Sequence, residues 1–455
     1  MRLVVVGADA AGMSAASQAL RVAARAGRDL EVVVLERTAH TSYSACGLPY
    51  WVAGDVASGD DLVARTAEQH RANGIDLRMG AEVTAIDLAS GHVEVVTGGA
   101  TSRVGFDEVL VATGAEAVVP DWARGVPRVL PVKTLDDGAA WRALVPDART
   151  ALVVGGGYIG VEMAETFARR GLETTLVNRS AEPLGSSLDP DMGALVRAAL
   201  ERLGVTVITG TEITGLEQSP SGAVAAACVG GEEMPADVVA LAVGVRPRTG
   251  LATAAGAVLG ERGGLRPDAH QRLAPGMWAA GDCCEVYDRV LRQHWYVPLG
   301  THANKAGRVA GSNIGGGPGA AQARFEGVVG TAITRAAGAE ISRAGVLTSW
   351  AHAQGWDVEV VTLESTTASG YMPEADPVTV RVVASRDDGR LLGVQIVGGR
   401  GAGKRIDLAA MAMWAGLGVA DVAAADLAYA PPFSPVWDPV QIACRKAAEV
   451  LATGG

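Results

Sequence analysis

The chain has 455 residues, 49% hydrophobic and 20% charged, with no low-complexity tract, which excludes a disordered protein and leaves room for about three domains. A formal net charge of −11 excludes the basic footprint of a nucleic-acid binder, so an anionic ligand must find a local positive site. No run approaches the ~18 apolar residues of a membrane span, and the N-terminus enters a strand directly instead of a signal peptide; both predict a cytoplasmic protein without a membrane partner. The five cysteines (46, 228, 283, 284 and 444) have no zinc spacing and no CxxC pair, as expected of a reducing compartment and one working thiol.

Residues 2–6 read as a buried apolar strand. Gly7-Ala8-Asp9-Ala10-Ala11-Gly12 follows, and then an alanine-rich helix. A strand, a glycine turn and a helix start offer backbone N–H groups and the helix dipole to a pyrophosphate. Asp9 stands where GxGxxG has its middle glycine. The next strand ends in Glu36 and Arg37, and Glu36 suits the two hydroxyls of an adenosine ribose. Gln18, Arg21, Arg25 and Arg28 share one helix face, either a solvated stripe or a phosphate clamp.

The segment Ser42-Tyr43-Ser44-Ala45-Cys46-Gly47-Leu48-Pro49-Tyr50 then puts a cysteine at a predicted helix start. The helix dipole and free N–H groups favour its thiolate there, which makes Cys46 the candidate redox centre; the alternative is a buried structural cysteine. A short β segment over about residues 75–96 precedes a strand closed by Ala112-Thr113-Gly114. The pattern then restarts: strand 151–154, a full GxGxxG at Gly155-Gly156-Gly157-Tyr158-Ile159-Gly160, a helix and a strand ending in Asn178 and Arg179. With no carboxylate at that end to bind a free 2′-hydroxyl, NADPH is favoured over NADH. Strand 238–247, which contains Gly244, closes this inserted domain. Gly281-Asp282 ends another apolar run, a helix opens at 301–311, and strands and helices from about 326 form a third domain.

Two fingerprints, the Ala-Thr-Gly turn, the Gly-Asp segment and a cysteine after the first βαβ unit together resemble the pyridine-nucleotide disulfide oxidoreductases along the whole chain. The resemblance implies an α/β fold of two Rossmann-like dinucleotide-binding domains, the second inserted in the first, plus a C-terminal α+β dimerisation domain. The expected boundaries are 1–118 and 250–325 for FAD, 119–249 for NAD(P)H and 326–455 for dimerisation. Most members carry two redox cysteines separated by four residues. Trp51 occupies the second place here, as in the single-cysteine branch.

Within that branch, oxidases and peroxidases usually carry a histidine where this chain has Ala10. The chain is more similar to coenzyme A disulfide reductases in the CGLPY segment and in Tyr371 and Tyr429, which would act beside Cys46 in a homodimer. Ser14, Gln18, Arg21 and Ser42 match substrate-side positions, whereas Ala45, Asn73 and Trp437 depart from the pattern and leave the disulfide, or persulfide, unnamed. The implied cofactor residues are Gly7, Ala10, Ala11, Gly12, Glu36, Arg37, Ala112, Thr113, Gly114, Gly281, Asp282 and Lys305 for FAD. Gly155, Gly157, Tyr158, Ile159, Gly160, Asn178, Arg179 and Gly244 serve NAD(P)H, with Tyr158 gating the nicotinamide face. Cys283 and Cys284 are expected to pack beneath the flavin, and no histidine is assigned a role. Alternative functions are an NAD(P)H oxidase and an electron-transfer reductase serving a protein.

Overall fold

The computed structural model describes residues 1–219, 224–320 and 322–453. Strand Arg2–Val6 ends in three valines, whose branched side chains suit a pleated sheet. Leu3, Val4 and Val5 are fully buried, as a central parallel strand covered on both faces requires. It pairs in parallel with Glu31–Glu36 on one side and Glu108–Val111 on the other. Its carboxyl end is therefore a point where the strand order reverses, which is where open α/β sheets bind ligands. After Val111 the chain leaves this sheet, and it returns as the edge strand Arg272–Ala274 and then as Met277–Ala279, which pairs with Glu108–Val111.

The excursion builds a second, all-parallel sheet in the order Thr206–Thr209, Glu173–Asn178, Thr150–Val154, Val238–Leu241 and Val129–Pro131. Its two connections to the first sheet run antiparallel as Ala115–Ala117 and Val245–Pro247. Residues after 330 form a five-stranded antiparallel sheet, backed by helices Ile406–Ala415 and Pro439–Thr453.

Helix Ala10–Arg25 packs along helix Gly300–Gly316 with almost nothing between the backbones. A Cβ added at Gly307, Gly311 or Gly315 would lie 2.2, 2.3 or 2.4 Å from the carbonyl oxygens of Ala11, Ala15 and Ala19. Both series repeat every four residues, so each helix presents one straight seam of small residues. Across the seam Ser14 Oγ donates to Asn304 Oδ1 at 2.7 Å, and Gln18 Nε2 donates to Ser312 Oγ at 2.9 Å.

Replacing Gly311 by Ala improves intrinsic helix propensity by about 1 kcal/mol. The methyl would meet backbone that cannot swing away, and overpacking costs about 1–3 kcal/mol. The expected net effect of Gly311→Ala is a lower thermal midpoint, measured by circular dichroism; a midpoint at or above that of the parent would refute the seam.

Candidate active site

Gly7 and Gly155 turn the two fingerprints at φ +107° and +99°, a region L side chains avoid. At either position a Cβ would also strike a carbonyl oxygen, that of Ala112 or Ala242, at 2.3 or 2.4 Å. Beside Gly157 a Cβ would meet nothing within 4 Å, so that turn keeps open space for a diphosphate to approach. At the end of its strand, Glu36 accepts hydrogen bonds from the Ala8 amide at 2.9 Å and from the Thr38 amide and hydroxyl at 2.8 Å. Its carboxylate is held at the lip of the first turn, where a ribose would lie. Thr113 closes its turn by donating to the Arg248 carbonyl at 2.6 Å, and Gly114 and Gly244 take positive φ at the two domain connections. These features fit a flavin dinucleotide in the first cradle and a nicotinamide dinucleotide in the second.

Lys305 is exposed on the glycine-seamed helix. The cation beside Asp282 is Lys133, with Nζ 3.5 Å from Oδ2. Lys133 lies in the chain's excursion between the sheets, and its rarity was the available signal: the chain has four lysines. Asp9, half-buried at the first turn, has its carboxyl pushed up to about 6 by burial, with Lys133 opposing.

Cys46 lies inside a single 3₁₀ turn, Ala45–Gly47, ahead of helix Leu48–Ala53. This corrects the expectation of a depressed thiol. Cys46 opens to solvent on one side, yet packing beneath it and then the Glu162 carboxylate push the thiol up, with Lys133 pulling the other way. Trp51 fills the place of a second cysteine, its indole against Gly59 and Gly138. Cys283 and Cys284 are buried free thiols, their sulfurs 3.7 Å apart.

Glu162 lies two residues past the second fingerprint, and no motif marks it. It projects from helix Tyr158–Arg169, accepts a hydrogen bond from Thr334 of the third sheet and is pushed up to about 7 by burial. One turn later Thr166 donates to the Pro49 carbonyl at 3.1 Å, tying the same helix to the segment that carries Cys46. Tyr158, at the start of that helix, is half-buried, and its hydroxyl is pushed up by burial.

Asn178 is engaged within its own loop. Its amide donates to the Ser180 and Glu182 carbonyls at 3.1 and 2.8 Å and accepts from the Gly156 amide at 3.2 Å. The side chain thereby staples the following loop to the glycine turn and leaves Arg179 and Ser180 exposed. The arginine stripe is also redistributed. The first helix ends at Arg25, Arg28 caps the carbonyls of Ile314 and Gly315, and Gln18 is spent on Ser312, so Arg21 and Arg25 remain exposed. Tyr371, Tyr429, Phe433, Val436 and Trp437 are each exposed on the third domain, Tyr371 at 75%, and Ser369 joins their two segments by donating to the Pro431 and Ser434 carbonyls.

Two dinucleotide cradles joined to one accessible thiol through a shared helix are the architecture of a flavin-dependent NAD(P)H oxidoreductase. The chain belongs to the pyridine nucleotide-disulphide oxidoreductase family, which matches residues 1–304, and the dimerisation domain of that family matches residues 333–439. It is 35% identical over 454 residues to the NAD(P)H coenzyme A polysulfide/persulfide reductase of Pyrococcus horikoshii, covering 98% of each chain. It is 30% identical over 460 residues to an NADH oxidase of Methanocaldococcus jannaschii, covering 99% of this chain and all of that one. Among solved structures, an NAD-dependent persulfide reductase from A. fulgidus superposes with a TM-score of 0.95 at 32% identity, over 100% of this chain and 84% of that one. No helix among the described residues is long and apolar enough to cross a membrane.

As pH rises through about 7, Glu162 loses its proton and the new charge opposes ionisation of Cys46. Glu162→Gln removes that charge, so alkylation of Cys46 by iodoacetamide at pH 8 should quicken several-fold while the rate at pH 6 changes little. An unaltered rate-against-pH curve would show that the two groups are not coupled.

Proposed function

We propose that the protein reduces a low-molecular-weight disulfide, coenzyme A disulfide or a related persulfide, with NAD(P)H through Cys46 alone. The observation that carries this reading is a solvent-open thiol with an indole, and no sulfur, in the place of a second cysteine. The persulfide reductases among its relatives support the sulfur chemistry. FAD, when bound, supplies the two-electron link between nicotinamide and sulfur.

In this reading residues 1–118 and 250–325 hold FAD, 119–249 hold NAD(P)H and 326–455 pair two copies in the cytoplasm. Glu36 would bind the adenosine ribose of the flavin, Asp282 with Lys133 would hold its ribityl end, and Tyr158 would gate the side on which the nicotinamide enters. The Cys46 thiolate attacks the disulfide RS–SR, forming Cys46–S–S–R and releasing RS⁻, which takes a proton. Two electrons and a proton then cleave the mixed disulfide to RSH and restore the thiolate. The balance is RS–SR + NAD(P)H + H⁺ → 2 RSH + NAD(P)⁺. The partner subunit, seated on the segments that carry Tyr371 and Tyr429, brings its own tyrosines to Cys46 to stabilise the leaving thiolate. The 30% identity to an NADH oxidase supports a second reading, oxygen reduction at the same flavin.

Cys46→Ser should abolish thiol release from coenzyme A disulfide while NADPH still bleaches the bound flavin under anaerobic conditions. Undiminished turnover in this variant would sink the single-thiol mechanism, and oxygen consumption that outpaces thiol release in the parent enzyme would favour the oxidase.

NADPH preference rests on Arg179, exposed on the loop that Asn178 staples. Losing one charge-assisted contact is worth about 1.5 kcal/mol, or roughly tenfold. Arg179→Ala should therefore raise KM for NADPH about tenfold and leave KM for NADH nearly unchanged. Equal effects on both would remove Arg179 from cofactor choice.

A further inference from the structure

His70 lies on helix Ala67–Ala72 and is 2% exposed. Its Nε2 is 2.8 Å from the Ser42 hydroxyl oxygen, and its Nδ1 is buried without a hydrogen-bond partner. Burial, and then the charge of Arg65, depress its basicity, so the ring is neutral at neutral pH. One nitrogen of a neutral imidazole carries the proton. On Nδ1 it would be a buried N–H with nothing to meet, the costly and rare case. On Nε2 it is donated to Ser42 Oγ, and Nδ1 is left with only a lone pair. The contacts therefore select the Nε2–H tautomer.

Ser42 itself is strained. Its φ of +49° is left-handed, which is unfavourable for a side chain with a Cβ. The surroundings over-determine it. The Ser42 amide donates to the Ala8 carbonyl at 3.2 Å, and its carbonyl accepts from the Ala64 amide at 2.8 Å. Thr41 Oγ1 donates to the same Ala8 carbonyl at 2.6 Å. The turn that leads into Cys46 is thus fastened to the first glycine fingerprint through its backbone and to His70 through its side chain. The helix bearing His70 is fixed in turn by a capping box between Thr66 and Gln69.

We propose that His70 is a positioning residue for the Cys46 turn: its Nε2–H holds the Ser42 oxygen and leaves the Ser42 hydroxyl proton free to donate to the disulfide substrate. Ser42 is partly exposed, so its hydroxyl has access to a ligand, whereas His70 has none. The second half of the proposal rests on the disulfide-reductase reading; the first half, the hold on the turn, does not.

The test uses FAD-loaded enzyme. His70→Phe keeps a ring of similar volume without the donor, and His70→Gln returns an amide donor near the Nε2 position. In His70→Phe, KM for coenzyme A disulfide should rise about tenfold, while the rate of anaerobic flavin reduction by NADPH stays within about twofold. His70→Gln should recover most of the loss. Ser42→Ala should reproduce the Phe variant, and the double variant should be no worse than either, because both changes remove one contact. An unchanged KM in His70→Phe, or flavin reduction slowed in equal measure, overturns the proposal. If the parent enzyme reduces no disulfide, alkylation of Cys46 decides: a rate changed at least threefold in His70→Phe and restored by Gln supports the hold, and equal rates in all three proteins overturn it.

Discussion

The structure depends on two helix backbones touching. Gly307, Gly311 and Gly315 have no Cβ, so the carbonyls of Ala11, Ala15 and Ala19 reach the opposite main chain. Contact at that distance is dispersion and Cα–H···O attraction, small per atom pair and summed along the whole seam. Its consequence is topological. The first helix follows the first fingerprint, and the glycine helix is reached only after the inserted sheet is complete. The seam therefore closes a domain assembled from the two ends of the excursion. It also brings Gly281 against Ala11, since a Cβ at Gly281 would lie 2.8 Å from the Ala11 Cβ. Asp282 thus takes its place at the mouth of a turn far away in sequence. Ser14 and Gln18 lie along this seam, and that is why their polar ends are engaged with Asn304 and Ser312.

A second constraint is the sharing of helix Tyr158–Arg169 by all three domains. Its buried Val161, Met163 and Phe167 belong to one core with Leu48 and Val52 of the cysteine segment and with Ala336, Ile341 and Val397 of the third sheet. Asp189, nearly buried, accepts from Arg381, Gln395 and Thr348 of the third domain at 3.2, 2.8 and 2.6 Å. Such a buried carboxylate is tolerable because it is paired and hydrogen-bonded on several sides. The thiol is therefore positioned by the helix of the inserted domain as well as by the glycine turn it follows in sequence. A movement of that helix on nicotinamide binding would be felt directly at Pro49 and Glu162.

What was legible in the sequence is what is local. The two strand–turn–helix units, Glu36 at the end of its strand and the Gly-Asp segment each declare themselves within about ten residues, because backbone conformation there is set by the glycines themselves. The missed groups act across long sequence separations. Lys133 meets Asp282, Glu162 meets Thr334 and His70 meets Ser42, and nothing in the spacing of any pair announces the contact. Asn178 ends its strand as the sequence indicates, and its amide is hydrogen-bonded to the Ser180 and Glu182 carbonyls of the loop that follows, a pairing that its position alone does not announce. For Cys46 tertiary packing outweighs the local geometry. One 3₁₀ turn and a six-residue helix supply little dipole, whereas burial and a neighbouring carboxyl act through tertiary packing.

The missing second cysteine is a matter of packing as much as of chemistry. Trp51 sits where Gly59 and Gly138 have given up their side chains: a Cβ at either would lie 2.8 or 2.7 Å from the indole. Two glycines in separate segments make room for one ring, so the ring is a structural member and not a tolerated replacement. Trp51 is half-buried against the core, so exchanging it for a residue the size of cysteine would cost a part of the ~3–5 kcal/mol of a fully buried tryptophan truncation. A dithiol could not be restored at this site by one substitution without unpacking the wall between the cysteine segment and helix Leu135–Leu144. The residue that leaves Cys46 without a neighbouring thiol is thus itself packed against the core that the cysteine segment shares with the inserted domain.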